Sequence, residues 1–224
     1  MPPPKPLPPT EFIAFEALYF SVIFLLCFIL YYKLREVYKI TDYKGFYFFS
    51  NTFLFLGVAY FLRSVTFLLF TSGVLLDELS FEGVRGLMLF SVAFLAYSGS
   101  VAILYNIYSL LWRWLEKIPS EALIHIIAVL IALISIIARS PLAFVTSQLI
   151  LTLFLLMAIF INYRHYKFDG KVKRAYPLYI LLFVFWLLNL SLALLLLPIE
   201  WRFTIYGLSV AVLLVIAYRV LKKL

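Results

Sequence analysis

The chain is predicted to be an all-α integral membrane protein, a seven-transmembrane-helix bundle with almost nothing left to fold in water. Three observations predict it. Hydrophobic residues make up 65% of the 224 residues and charged residues 13%, against roughly 45–50% and about 25% in soluble domains. The apolar residues fall in runs near the ~20 residues that a helix needs to cross the hydrocarbon core. The basic residues gather in the gaps between those runs, where membrane topology signals lie. The net charge of +8 is therefore assigned to topology, and no nucleic-acid partner is expected.

The predicted spans are Phe12–Tyr32, Phe46–Leu69, Leu87–Trp112, Ala122–Ala138, Leu142–Tyr163, Leu178–Leu197 and Phe203–Tyr218. Residues 1–11 form a proline-rich outer tail, residues 12–218 the helical domain and residues 219–224 a short basic tail. Pro2, Pro3, Pro4, Pro6, Pro8 and Pro9 favour extended polyproline II structure. Thr10 is placed as an N-cap, with Glu11 in the first turn. The tail is not a signal peptide, since its n-region is proline-rich rather than basic. Arg139-Ser140-Pro141 separates spans four and five, because Pro141 suits a first helical turn and disfavours helix at Ser140. Pro198-Ile199-Glu200-Trp201-Arg202 makes the turn between spans six and seven. The longest loops are predicted at Lys33–Gly45, Asp77–Gly86 and Arg164–Pro177.

Alternate loops carry fourteen and four Lys and Arg residues. The richer side is cytoplasmic by the positive-inside rule, so the N-terminus is outside and the C-terminus cytoplasmic. The expected location is the cell membrane. An odd number of spans is needed for this alternation. The single Gln and four Asn fit a thermophilic source, since thermolabile amides are avoided there.

Three spans on either side of a fourth form a possible 3+1+3 parallel repeat. Leu30-Tyr31-Tyr32-Lys33 echoes Ile161-Asn162-Tyr163-Arg164, and Lys44-Gly45-Phe46-Tyr47 echoes Arg174-Ala175-Tyr176-Pro177. The layout resembles that of sugar-carrying semi-transporters and one proposed for seven-helix rhodopsins, as topology only. Retinal chemistry is excluded. The seventh span contains no lysine for a Schiff base, the third has no acidic counter-ion, and Lys222 and Lys223 lie past the last span.

Ionisable residues inside a span are costly and point to function or pairing. Two qualify, Glu16 in span one and Arg63 in span two. A Glu16–Arg63 ion pair is expected, with separate snorkelling to the outer headgroups as its alternative. Helical spacing puts Glu16, Tyr19, Phe20 and Ile23 on one face, and Thr52, Ala59, Arg63 and Thr66 on another. Span three offers Ser98, Ala102, Tyr105 and Ser109 with Gly99 beside them. Span five offers Gln148, Thr152 and Asn162, span six Trp186 and Asn189, and span seven Tyr206 and Ser209. The candidate ligand-binding set is Glu16, Tyr19, Arg63, Gln148, Asn189 and Tyr206. The plainer role for such polar groups is to bind helices to one another, as is that of the small pair Gly207 and Ala211.

No catalytic constellation is recognisable, and no enzyme is expected. His125 stands alone at the inner end of span four and His165 lies in a basic loop, which makes no metal site. The lone Cys27 forms neither a disulfide nor a cluster, and the acidic stretch Asp77–Glu82 is read as a solvated loop. No cofactor is expected. The expected partners are the lipid bilayer and either a small ligand or another membrane protein. The leading expectation is a sensor or receptor-like protein with a small outward-facing polar site. A small-solute transporter or channel of two three-helix repeats and an accessory subunit of a membrane complex are the alternatives.

Overall fold

A computed structural model describes residues 10–75, 81–115, 120–138, 141–165, 170–193 and 198–223. Seven helices follow in order: α1 (Thr10–Thr41), α2 (Lys44–Leu75), α3 (Phe81–Leu111), α4 (Ser120–Ile137), α5 (Pro141–His165), α6 (Gly170–Ala193) and α7 (Ile199–Lys223). No strand occurs among the described residues. The proline-rich tail up to Pro9, Asp77–Ser80 and Arg139-Ser140 lie outside the described residues. Five helices are long and apolar enough to cross a membrane, and Glu121–Ile137 of α4 and Tyr176–Leu192 of α6 are shorter apolar stretches.

Several helices overrun the predicted spans. The expected loop Lys33–Gly45 is mostly helix, because α1 continues to Thr41. Its charged residues repeat with helical rather than loop logic. Leu34 is fully buried, Lys33 pairs with Glu36 at 2.8 Å one turn on, and Lys39 lies in the last turn, where the helix dipole favours a cation. Asp42 then ends the helix with φ 50°, and its N–H donates to the Tyr38 carbonyl at 2.8 Å. This is a left-handed C-cap, a conformation Asp tolerates better than most residues. α6 likewise starts at Gly170, well before the predicted Leu178, so Pro177 lies inside it. The basic C-terminal residues through Lys223 belong to α7 rather than to a separate tail.

The helices close a ring. Each of α1, α2, α3, α5, α6 and α7 packs on the next, and α7 returns to α1. α4 packs on α3 and α5, while Ile126, Leu130, Leu133, Ile134 and Ile137 on its far side are exposed. The core of the ring is filled by Phe20, Phe49, Phe53, Leu182, Phe185 and Leu213, all 2% exposed or less. α1 and α2 approach closely at Gly57, where a Cβ would lie 3.2 Å from that of Cys27. Cys27 is thus a buried packing residue.

The outer surface is as apolar as the core. Leu18, Leu25, Leu69, Phe90, Leu153, Phe154, Phe160 and Leu208 are among many large side chains left roughly half exposed or more. Contiguous apolar surface on that scale is not sustained in water, and it matches what lipid tails would cover. Gly207 falls on this surface, with nothing near the position of a Cβ, and Ala211 is exposed as well. The small pair therefore makes no helix contact among the described residues.

Candidate functional site

Many of the polar side chains predicted to face inward are buried, Arg63, Thr66, Trp186 and Asn189 are half-buried, and most of the candidate set falls into two adjoining groups. Glu16, Tyr19, Tyr206, Gln148, Thr152, Ser98, Tyr105, Ser109 and Ser209 are all buried. The first group joins α1, α2, α6 and α7 around Asn189. The Tyr19 hydroxyl donates to Asn189 Oδ1 at 2.8 Å, and the Tyr60 hydroxyl donates to the same oxygen. Asn189 Nδ2 donates to the Phe185 carbonyl at 2.8 Å and to Ser209 Oγ at 3.5 Å. One amide side chain therefore ties four helices together with its hydrogen-bonding capacity filled. The rings add to this, with Tyr19 4.4 Å from Tyr206 and 6.0 Å from Tyr60 between centroids.

The expected Glu16–Arg63 ion pair is not formed. The Glu16 carboxylate accepts from the Tyr206 hydroxyl of α7, and the direct ion pair among the described residues is Lys33–Glu36. Arg63 lies with its guanidinium 4.8 Å from the centre of the Phe20 ring. Antiparallel pairing of α1 and α2 brings the two residues to the same region. The rotamers then give each a different partner. A phenol supplies a strong hydrogen bond to a buried carboxylate without burying a second charge, and an aromatic face supplies electrostatic attraction to a guanidinium.

The second group encloses a cavity of about 90 Å³ between α2, α3, α5 and α6. Arg63, Gln148 and Asn189 of the predicted set line it, with Tyr60, Thr152 and Trp186. Leu56, Ala59, Leu95, Phe144 and Leu190 supply apolar wall, and Gly99 opens the α3 side. A Cβ on Gly99 would lie 3.5 Å from Gln148 Oε1 and 3.9 Å from the Trp186 ring. Gln148, 4% exposed, donates from Nε2 to Ser100 Oγ at 3.0 Å. Its Oε1 has no partner, and neither does Trp186 Nε1, although both atoms are buried. Buried polar atoms without partners are scarce in folded proteins, and each calls for an explanation. Gln148 and Trp186 thus each bring a buried polar atom without a partner to the neighbourhood of the cavity that Arg63 lines.

Glu16 and Tyr206 thus do not line the cavity. They brace its α6 wall from behind, through Tyr19 and Asn189. Tyr60 has a place in both groups, and its hydroxyl was not singled out in the sequence because Tyr is common at membrane edges.

A further polar cluster lies between α2, α3 and α4. His125 is not alone. Its Nδ1 is 2.9 Å from the Tyr97 hydroxyl and its Nε2 is 3.4 Å from the Tyr105 hydroxyl. One turn away, Glu121 accepts from the Tyr47 hydroxyl at 2.7 Å, and the Arg35 guanidinium lies 4.3 Å over the Tyr47 ring. Glu121 and His125 are spaced i, i+4 on one face of α4, and that spacing was the available signal. The cluster pins α4 to the ring.

Together, an apolar helical ring and a partly open, mainly apolar cavity with a few polar groups define a helical protein with the build of a membrane protein. No protein-family model and no solved structure matches the chain. A protein of Archaeoglobus fulgidus, described as uncharacterized, is 65% identical over 222 residues, which cover 99% of this chain and 97% of the relative. The chain belongs to the same family as that protein.

Proposed function

We propose that all seven helices cross the cell membrane, with the N-terminus outside and the C-terminus cytoplasmic, and that the chain is a sensor or receptor-like protein binding a small solute in the cavity beside Arg63. The observation that carries this reading is the cavity itself, lined by the Arg63 guanidinium together with Gln148 and Trp186, each of which carries a buried polar atom without a partner. The lining runs from Leu56 to Arg63 on α2, Leu95 to Gly99 on α3, Phe144 to Thr152 on α5 and Trp186 to Leu190 on α6. In the proposed orientation it extends from the middle of the spans toward the outer side, with Arg63 and Phe144 at its outer end, so solute enters from outside.

A transport reading has its own support in the ring order. Matching α1, α2 and α3 with α5, α6 and α7 carries every neighbour contact of the ring onto another, with α3–α5 matching α7–α1. The cavity lies between the two halves so defined, the location of substrate sites in repeat-built transporters.

The test is a stability screen of the purified full-length chain in lipid nanodiscs against small solutes. At least one is expected to raise the unfolding temperature of the wild type. It is expected to have no effect on Gly99→Leu, whose side chain would occupy the cavity beside Gln148 and Trp186. Flux of that solute into proteoliposomes would assign transport, and binding without flux would assign sensing. Equal stabilisation of Gly99→Leu would remove the cavity from the account.

A further inference from the structure

We infer that the solute is a short-chain monocarboxylate whose charged end lies against Arg63, an inference that rests on the binding role proposed above. Arg63 lines the cavity and has no carboxylate partner among the described residues, where Glu16 is held by Tyr206. Its Cζ lies 4.8 Å from the centre of the Phe20 ring, which carries no charge. The N–H edge, which is where a carboxylate binds through two parallel hydrogen bonds, is left without an acid. A guanidinium desolvated in an apolar bundle is stabilised by an anion far more than one in water.

The remaining wall limits what that anion is. Leu56, Leu95, Phe144 and Leu190 surround the cavity, and a small inorganic anion would leave them facing an unfilled, poorly solvated space. An aliphatic tail would cover them. One guanidinium balances one charge, so a doubly charged phosphate or dicarboxylate would carry an uncompensated charge into low dielectric. Size narrows it further. A 150 Å³ cavity admits the six heavy atoms of benzene, so about 90 Å³ holds roughly four, and the end of a slightly longer tail reaches the open side of the cavity. Glu16 is not among the lining residues and accepts from Tyr206 instead.

The experiment is calorimetric titration of the full-length protein in lipid nanodiscs with propionate and lactate, each beside its neutral amide. The carboxylates are expected to bind at least tenfold more tightly than propionamide and lactamide. That comparison uses the wild type alone, so it does not depend on any variant folding. Arg63→Gln is expected to lose the preference for carboxylate over amide. Amides binding as well as the acids, or an unchanged preference in Arg63→Gln, would overturn the carboxylate assignment and leave the cavity as a neutral-solute site. If neither acids nor amides bind while another solute stabilises the protein in a Gly99-dependent way, this inference falls and the binding role stands. If nothing binds in either experiment, both fall.

Discussion

Asn189→Leu is expected to lower the stability of the purified protein by about 2–4 kcal/mol. The leucine matches the amide in size but accepts nothing. Tyr19 and Tyr60 both donate to Asn189 Oδ1, so the substitution leaves two buried phenols without an acceptor. Each such group costs about 1–3 kcal/mol, with membrane interiors toward the lower end because the unfolded chain also finds partners there. Removing donors and acceptor together is expected to cost far less, since deleting both sides of a buried hydrogen bond is nearly neutral. The triple variant Tyr19→Phe, Tyr60→Phe and Asn189→Leu should therefore recover most of the loss in detergent unfolding measurements. A triple variant weaker than Asn189→Leu alone would show that Asn189 does not organise these helices.

Double-mutant cycles on Glu16 are expected to give strong coupling to Tyr206 and weak coupling to Arg63. A hydrogen bond to a buried charged group contributes about 1.5–3 kcal/mol. The Glu16→Leu and Tyr206→Phe changes both remove the one between α1 and α7. Their combined effect should therefore fall short of the sum by more than about 1 kcal/mol. Glu16→Leu with Arg63→Gln shares no contact, and its effects should add more closely. The reverse ranking would restore the ion pair and remove the free guanidinium on which the carboxylate assignment depends.

Much of the fold was legible because hydrophobic run length and helical period are local properties. The period put Tyr19, Phe20 and Ile23 on the buried face of α1 and Gln148 and Thr152 on that of α5. It also placed Ser98, Ala102, Tyr105 and Ser109 together on α3. What escaped depends on tertiary context. The α1 extension beyond Tyr32 carries Lys33, Arg35, Glu36 and Lys39, a composition that reads as loop until Leu34 finds a buried contact. Pro177 read as a helix start, yet α6 tolerates it within its first half. Glu16 had two partners within reach of its face, and the choice between Arg63 and Tyr206 was settled by rotamers and by how α7 packs. His125 lacked a visible partner because Tyr97 and Tyr105 lie on α3, some twenty or more residues away.

The cavity was only partly readable for the same reason. Arg63, Gln148 and Asn189 stand out as rare polar residues in apolar runs, and three elements had to converge before they shared a wall. Gly99, Trp186 and Tyr60 matter by position. Gly99 leaves space, Trp186 carries a buried N–H, and Tyr60 links the cavity to the Asn189 cluster.

Everything proposed for the site depends on α4 crossing the membrane, because that crossing makes α5–α7 run parallel to α1–α3 and sets the cavity between two like halves. The direct measurement is labelling of single cysteines in a Cys27→Ala background by a membrane-impermeant maleimide on intact cells, with the cysteine at Lys117 before α4 or at Arg139 after it. The account requires labelling at 139 from outside, and at 117 only after the cells are opened. Labelling of both positions from the same side would contradict it.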